Sequence, residues 1–176
     1  MKLSSDRLFL RDLAIADRDA VHEYASSIDV VRHQAWGPNT LLQTAEFVEA
    51  AANETAVAER RLFTLAVVLN DETLIGSVLA AISTDGSEAE IGYSFNPHYW
   101  GMGYGTEAVK RLVGYVLSTG NVRRIFATCR PENAASINIL KKIGMSQERL
   151  VRKNVLIRGE WRDSLIFELL LPEREA

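Results

Sequence analysis

Polar and apolar residues alternate through Arg7–Leu13 (RLFLRDL), the period of a strand with one buried face. Two denser apolar runs, Arg61–Leu69 and Thr73–Ser83, flank Asn70-Asp71-Glu72 and predict a hairpin. A further strand, Ser87–Phe95, follows the turn signal Asp85-Gly86. Helical periods lie between the first strand and the hairpin. Asp17 is placed to cap a short helix through DRDAVHEYASS. After Gly37-Pro38 and Asn39, Thr40 is placed to cap a helix from Leu41 to about Arg60. Its expected buried face is Leu41, Ala45, Val48, Ala52 and Thr55, with Glu46, Glu49 and Glu54 largely elsewhere. In the second half, Ala108, Val109, Leu112, Val113, Val116 and Leu117 form one apolar stripe of a helix ending near Ser118. Arg123–Cys129 reads as a strand, and Asn133–Met145 as a helix ended by Gly144. Two strands, about Gln147–Leu156 and Glu160–Leu171, turn at Arg158-Gly159. The order β-α-α-β-β-β-α-β-α-β-β predicts an α/β chain that opens largely antiparallel.

Composition narrows the function classes. A length of 176 residues suits one domain, residues 1–176, with a proper core. A net charge of −3 supplies no field that would gather nucleic acid or an anionic membrane. No apolar run reaches the length of a bilayer span. Charges interrupt the N-terminal MKLSSDRLFLRD, so it does not read as a signal peptide. The single cysteine, Cys129, leaves no internal disulfide and no cysteine-built metal site. His22, His33 and His98 lack zinc-type spacing, so no metal is expected. A reducing, cytoplasmic setting is the simplest expectation.

The densest chemical signal is NPHYWGMGYGTEAVKRLVGYV (Asn96–Val116), with Gly101, Gly103 and Gly105 at alternate positions just before a helix. The first turn of a helix has backbone N–H groups without helical partners, and with the dipole they make an anion site. Glycines there let a phosphate approach the backbone, and Thr106 adds a hydroxyl. A plain tight turn needs one glycine, not three. The dinucleotide pattern G-x-G-x-x-G fails, because Thr106 follows Gly105 and no acidic residue stands about 20 residues on. The Gly-Lys-Ser/Thr of a P-loop is also missing. A pyrophosphate loop of another kind is left.

These residues resemble the GNAT superfamily of N-acetyltransferases, and within it the ribosomal-protein-alanine N-acetyltransferases. Three motifs carry the resemblance in order: IGYSFNPHYWGMGYGTEA (Ile91–Ala108), NAASINILKKIGM (Asn133–Met145) and the tail RGEWRDSLIFELL (Arg158–Leu170). It implies a mixed, strongly twisted sheet of about seven strands flanked by about four helices, with central strands splayed to hold acetyl-CoA. It implies that the coenzyme's pyrophosphate lies on the backbone of Gly101, Met102, Gly103, Tyr104, Gly105 and Thr106. The pantetheine arm would pair with Tyr93, Ser94 and Phe95, and Asn133 would bond its amides. The chain departs from the pattern at Trp100, where the superfamily often has Gln or Arg. It departs again at Met102 and Gly105, where the branch usually has Lys and Ala.

The implied reaction is acyl transfer from a thioester to an amine. It needs a base for the ammonium, a donor for the carbonyl oxygen and a proton for the departing thiolate. Strand alternation puts Glu88, Glu90, Gly92 and Ser94 on one face. Glu90 is the candidate base, activated by burial, with His98 its rival. The superfamily's tyrosine acid falls seven residues after Asn133, where this chain has Leu140. Ser136, one turn after Asn133, remains as a coenzyme contact and proton donor. Trp36 and Trp161, in His33–Thr40 and Ile157–Asp163, are expected to wall the acceptor pocket, with Glu90. The resemblance points to a protein N-terminal amine, such as that of a ribosomal protein. A polyamine, an aminoglycoside or an amino acid is an alternative. A homodimer is also compatible with it. A non-catalytic coenzyme A sensor is the alternative from another class.

Overall fold

The structure is a computed structural model that describes residues 1–171. Eight strands form one sheet in the order β1-β2-β3-β4-β5-β6-β8-β7. They are β1 (Lys2–Ser4), β2 (Leu8–Asp12), β3 (Leu62–Leu69), β4 (Leu74–Ile82), β5 (Glu88–Phe95), β6 (Arg124–Cys129), β7 (Ser146–Ile157) and β8 (Glu160–Leu170). Neighbours are antiparallel except β5 and β6, which run parallel. Five α-helices flank the sheet: α1 (Arg18–Ala25), α2 (Ile28–Val31), α3 (Leu41–Asn53), α4 (Tyr104–Ser118) and α5 (Ala134–Lys142). The mixed α/β architecture and the order of the long elements are those expected. The additions are β1 and α2, which are too short to show a period.

The two faces of the sheet carry separate cores. Residues of α1 and α3 (Val21, Tyr24, Ala25, Val48, Ala51) pack with Phe9, Leu13, Ala66 and Val68. On the other face the α4 stripe, Ala108, Val109, Leu112, Val113 and Val116, meets Leu8, Leu65, Ile75 and Ile91, and Leu140 of α5 joins it. Strand alternation divides one strand between both cores, as β3 shows with Val67 and Val68.

Helix α3 corrects the sequence reading twice. Thr40 caps it as expected: its Oγ1 accepts from the Gln43 N–H at 3.2 Å, and Gln43 Oε1 accepts from the Thr40 N–H at 2.9 Å. The buried positions, however, are Thr44, Val48 and Ala51, while Leu41 is exposed. Apolar residues lie all round this helix, so periodicity alone did not choose the face. Thr44 is admitted because its hydroxyl pairs with His22 Nδ1 at 2.9 Å. The helix also ends at Asn53, well before Arg60. Arg60 is drawn to the sheet instead, where it pairs with Asp12 at 2.5 Å and lies over the Phe63 ring.

Candidate active site

The site begins where two neighbouring strands part. Strands β5 and β6 pair only over Glu88–Glu90 against Arg124–Phe126. Beyond Glu90, β5 keeps β4 as its partner, and β6 keeps β8. The Glu88 carbonyl and the Asn96 N–H both point at the β4 side, bonding Ser83 at 2.9 Å and Ile75 at 2.8 Å. Alternation then turns the backbone groups of Tyr93 and Phe95 to the open side. Part of that edge is already used: Trp100 Nε1 donates to the Phe95 carbonyl at 2.9 Å. The indole therefore braces the end of β5, a role for Trp100 that the sequence did not reveal.

The glycine loop enters α4 at this open end. Gly101 and Gly103 have φ of 76° and 82°, the left-handed region that favours glycine. Glu107 makes the first helical bond, its N–H reaching the Gly103 carbonyl at 3.2 Å. The N–H groups of Gly103, Tyr104, Gly105 and Thr106 are thus free of helical partners. Gly105 is a different case, lying inside the helix. A Cβ there would sit 2.9 Å from Ile139 Cδ1 and 3.3 Å from Phe95 Cε2. Its missing side chain lets α4 close on its neighbours, so two glycines shape the loop and the third packs it. Glu107 fastens the loop to the N-terminal turn. Its carboxylate accepts from Ser5 Oγ at 2.8 Å and from the N–H and Nε of Arg7 at 2.9 and 2.7 Å. Arg7 also donates to the Met102 carbonyl at 3.0 Å.

Two cavities open on the parted strands. The larger, about 640 Å³, is lined by Gly101, Gly103, Gly105, Thr106, Tyr93, Ser94, Phe95, Asn133 and Ser136. The smaller, about 350 Å³, is lined by Glu90, Gly92, Ser94, Trp36, Phe47, Arg130, Val155 and Ile157, among others. Six residues, His33, Gln34, Tyr93, Ser94, Asn133 and Ser136, line both. The cavities therefore meet beside Ser136. Met102 and Tyr104 do not line the larger one. Met102 is exposed, and the Tyr104 ring lies under the Arg7 guanidinium. Of the helix cations Lys110, Arg111, Lys141 and Lys142, only Lys142 reaches it.

At the junction, Asn133 caps α5 by accepting from the Ser136 N–H at 3.1 Å. This holds Ser136 in the first turn, where its Oγ lies 2.7 Å from the Tyr93 hydroxyl. Burial pushes the Tyr93 phenol well above its ordinary range, against the opposing effect of that hydrogen bond. A tyrosine hydroxyl thus reaches this point from β5 rather than from α5, where Leu140 is buried in the core. Cys129 borders the smaller cavity, and burial raises its thiol pKa, so it stays a packed thiol.

Glu90 faces the smaller cavity on the predicted side of β5, together with Gly92 and Ser94. It is exposed, so the burial expected to activate it is not there. Glu88, at the seam, pairs with Arg124 at 2.9 Å, which also holds Glu148 and Glu168. His98 is exposed in the turn after β5 and lines neither cavity. His33, the first residue of the expected wall His33–Thr40, lines both, and burial lowers its pKa.

Trp36 borders the smaller cavity as expected, whereas Trp161 is 60 % exposed and lines neither. Leu156 and Trp161 pair across the β7–β8 ribbon, and Val155 and Ile157 of β7 take over the wall. Arg158 latches that ribbon to the end of α2 and the segment after it, donating to the carbonyls of Val31 and Gly37 at 2.9 and 3.1 Å. One wall residue is anomalous. Arg130 is only 7 % exposed, yet its Nε and Nη1 find no hydrogen-bond partner among the described residues. Each unmet buried donor costs about 1–3 kcal/mol.

The profile of the family described as "Acetyltransferase (GNAT) domain" matches residues 7–146. This chain is a GNAT-family acetyltransferase. An uncharacterized N-acetyltransferase of Bacillus subtilis, YnaD, is 34% identical over 174 residues, 98% of this chain and 99% of the relative. The crystal structure of a GNAT-family acetyltransferase from Bacillus anthracis superposes with a TM-score of 0.85 at 31% identity, covering 97% of this chain and 98% of that one. The [ribosomal protein uS5]-alanine N-acetyltransferase of Escherichia coli is 31% identical over 83 residues, 47% of this chain and 43% of that relative. GNAT acetyltransferases take their acyl group from acetyl-CoA. The larger cavity fits that co-substrate, with free N–H groups for a pyrophosphate and an open strand edge for the pantetheine arm. No helix among the described residues is long and apolar enough to cross a membrane.

Proposed function

We propose that this GNAT acetyltransferase moves the acetyl group of acetyl-CoA directly to a primary amine held in the 350 Å³ cavity. The observation that carries the reading is the sharing of Tyr93, Ser94, Asn133 and Ser136 between the two cavities. A donor arm in one and an amine in the other would meet there, without an acyl-enzyme. The amine nitrogen bonds to the acetyl carbon and the carbon–sulfur bond breaks. Glu90 takes the proton from the amine, directly or through water. A backbone N–H on the open side of β5 supports the carbonyl oxygen. Ser136 gives a hydrogen bond or a proton to the departing thiolate, and Tyr93 positions Ser136. The acceptor class supported by the uS5 relative is a protein N-terminal amine, but that relative covers less than half of this chain. A small amine suits a cavity of about 350 Å³.

The test is thiol release from acetyl-CoA by the purified protein against a panel of amines. The panel holds peptides with N-terminal Ala, Ser and Met, polyamines, aminoglycosides and amino acids. Release stimulated by one class is the expected result. Tight coenzyme A binding in calorimetry with no stimulated release would instead favour a sensor. Tyr93→Phe removes one neutral hydrogen bond to Ser136, so kcat should fall about 3–10-fold with coenzyme A affinity kept. An unchanged kcat would remove Tyr93 from the proton path.

A further inference from the structure

We infer that the acceptor is a small primary amine that also carries an oxyanion, which Arg130 receives. The inference rests on the acetyltransferase reading above and narrows it to a substrate class. Arg130 follows β6, lines the smaller cavity and is 93 % buried, since 7 % of its surface is exposed. Its Nε and Nη1 are closed to solvent and have no hydrogen-bond partner among the described residues, which leaves Nη2 as the nitrogen that can meet a ligand in the cavity. A guanidinium keeps its charge under these conditions. Buried charges in native proteins are paired and hydrogen-bonded, because an isolated one loses its hydration without return. Water in the cavity would not balance the charge.

The rest of the wall supports this. Glu90 is the single carboxylate lining the cavity, and Arg130 the single arginine. His33 adds no fixed charge, since burial lowers its pKa. The nearby Glu132 is exposed and makes no ion pair with Arg130 among the described residues. The cavity therefore offers one acid and one buried cation to the same ligand. An amine with a carboxylate or phosphate complements both ends. A polyamine would bring a second positive charge to Arg130.

The experiment measures kcat/KM for thiol release with matched acceptors on the intact protein. One arm pairs free amino acids with their amides, and another pairs O-phosphoethanolamine with ethanolamine. Spermidine is the cationic control. An amide has the less basic amine, so chemistry alone favours it, and a preference for the acid reports recognition. The expected result is an acid-to-amide ratio of about 30 or more in the unaltered protein. The same preference in the phosphate arm alone would assign the oxyanion as phosphate. Arg130→Gln should bring the ratio close to one, and Arg130→Lys should keep part of it. The ratio in the unaltered protein needs no variant, so a misfolded Arg130→Gln leaves the test intact. Amides, ethanolamine or spermidine used as well as the acids would overturn the inference and leave the acetyltransferase reading standing. Loss on all acceptors alike in Arg130→Gln, with the ratio kept, would overturn it too, by making Arg130 a structural residue. No stimulated release with any amine would remove both.

Discussion

Gly76→Ala is expected to cost on the order of 3 kcal/mol of stability and to weaken coenzyme A binding with it. Gly76 pairs with Phe95 across β4 and β5. A Cβ at Gly76 would lie 2.4 Å from the Ser94 carbonyl oxygen and 2.9 Å from Phe95 Cα. Both are backbone atoms, so no rotamer relieves the overlap, and the strands must move apart. The pairing lies opposite a register shift at Val67/Val68, so β3 offers no regular ladder to absorb the movement. The displaced segment, Ser94–Phe95, lines the larger cavity. For a chain of this size the melting temperature should drop about 6–12 °C. Thermal melts with and without coenzyme A, and calorimetry of its binding, check this. A melting temperature within about 2 °C of the unaltered protein would show that the sheet tolerates the extra carbon.

Glu90→Gln should lower kcat by about 100-fold or more near neutral pH, with coenzyme A affinity unchanged. The acceptor amine arrives mostly as an ammonium ion, and the amide of glutamine cannot take its proton. Glu90 does not line the larger cavity, the site proposed for the co-substrate, so binding there is expected to be kept. Because Glu90 is exposed, the role proposed for it rests on its position in the smaller cavity beside Ser94 and not on desolvation. Turnover within about threefold of the unaltered protein would dismiss Glu90 as base. His33, which lines both cavities, would then be the next group to replace.

What the sequence revealed was local, and what it hid was not. The α4 stripe, the Thr40 cap and the left-handed Gly144 after α5 are each decided within a few residues, and each was legible. The glycine loop belongs with them, since free N–H groups at a helix start follow from the chain itself. The face of α3 was not legible, because apolar residues surround the helix and the packing of α1 and His22 selected Thr44. Its neighbours in sequence place Trp161 in a pocket wall, but the β7–β8 ribbon leaves it exposed and offers Val155 and Ile157 instead. The Tyr93–Ser136 contact joins residues 43 apart. The missing partners of Arg130 are a property of space alone. Neither leaves a trace in a linear pattern.

The short β5–β6 pairing has a mechanical meaning. Three residue pairs, backed by the Arg124 carboxylate cluster, are the whole ladder between strands β1–β5 and strands β6–β8. Within the sheet the two sets of strands are in this sense leaves bound at one end of their spine and open at the other, while the α4 core and the Arg158 latch also join them. An acyl-CoA arm inserted along the open edge would serve as the missing stitching. Cohesion between the two leaves would then rise and fall with the occupancy of the cleft, by mass action on the closed form.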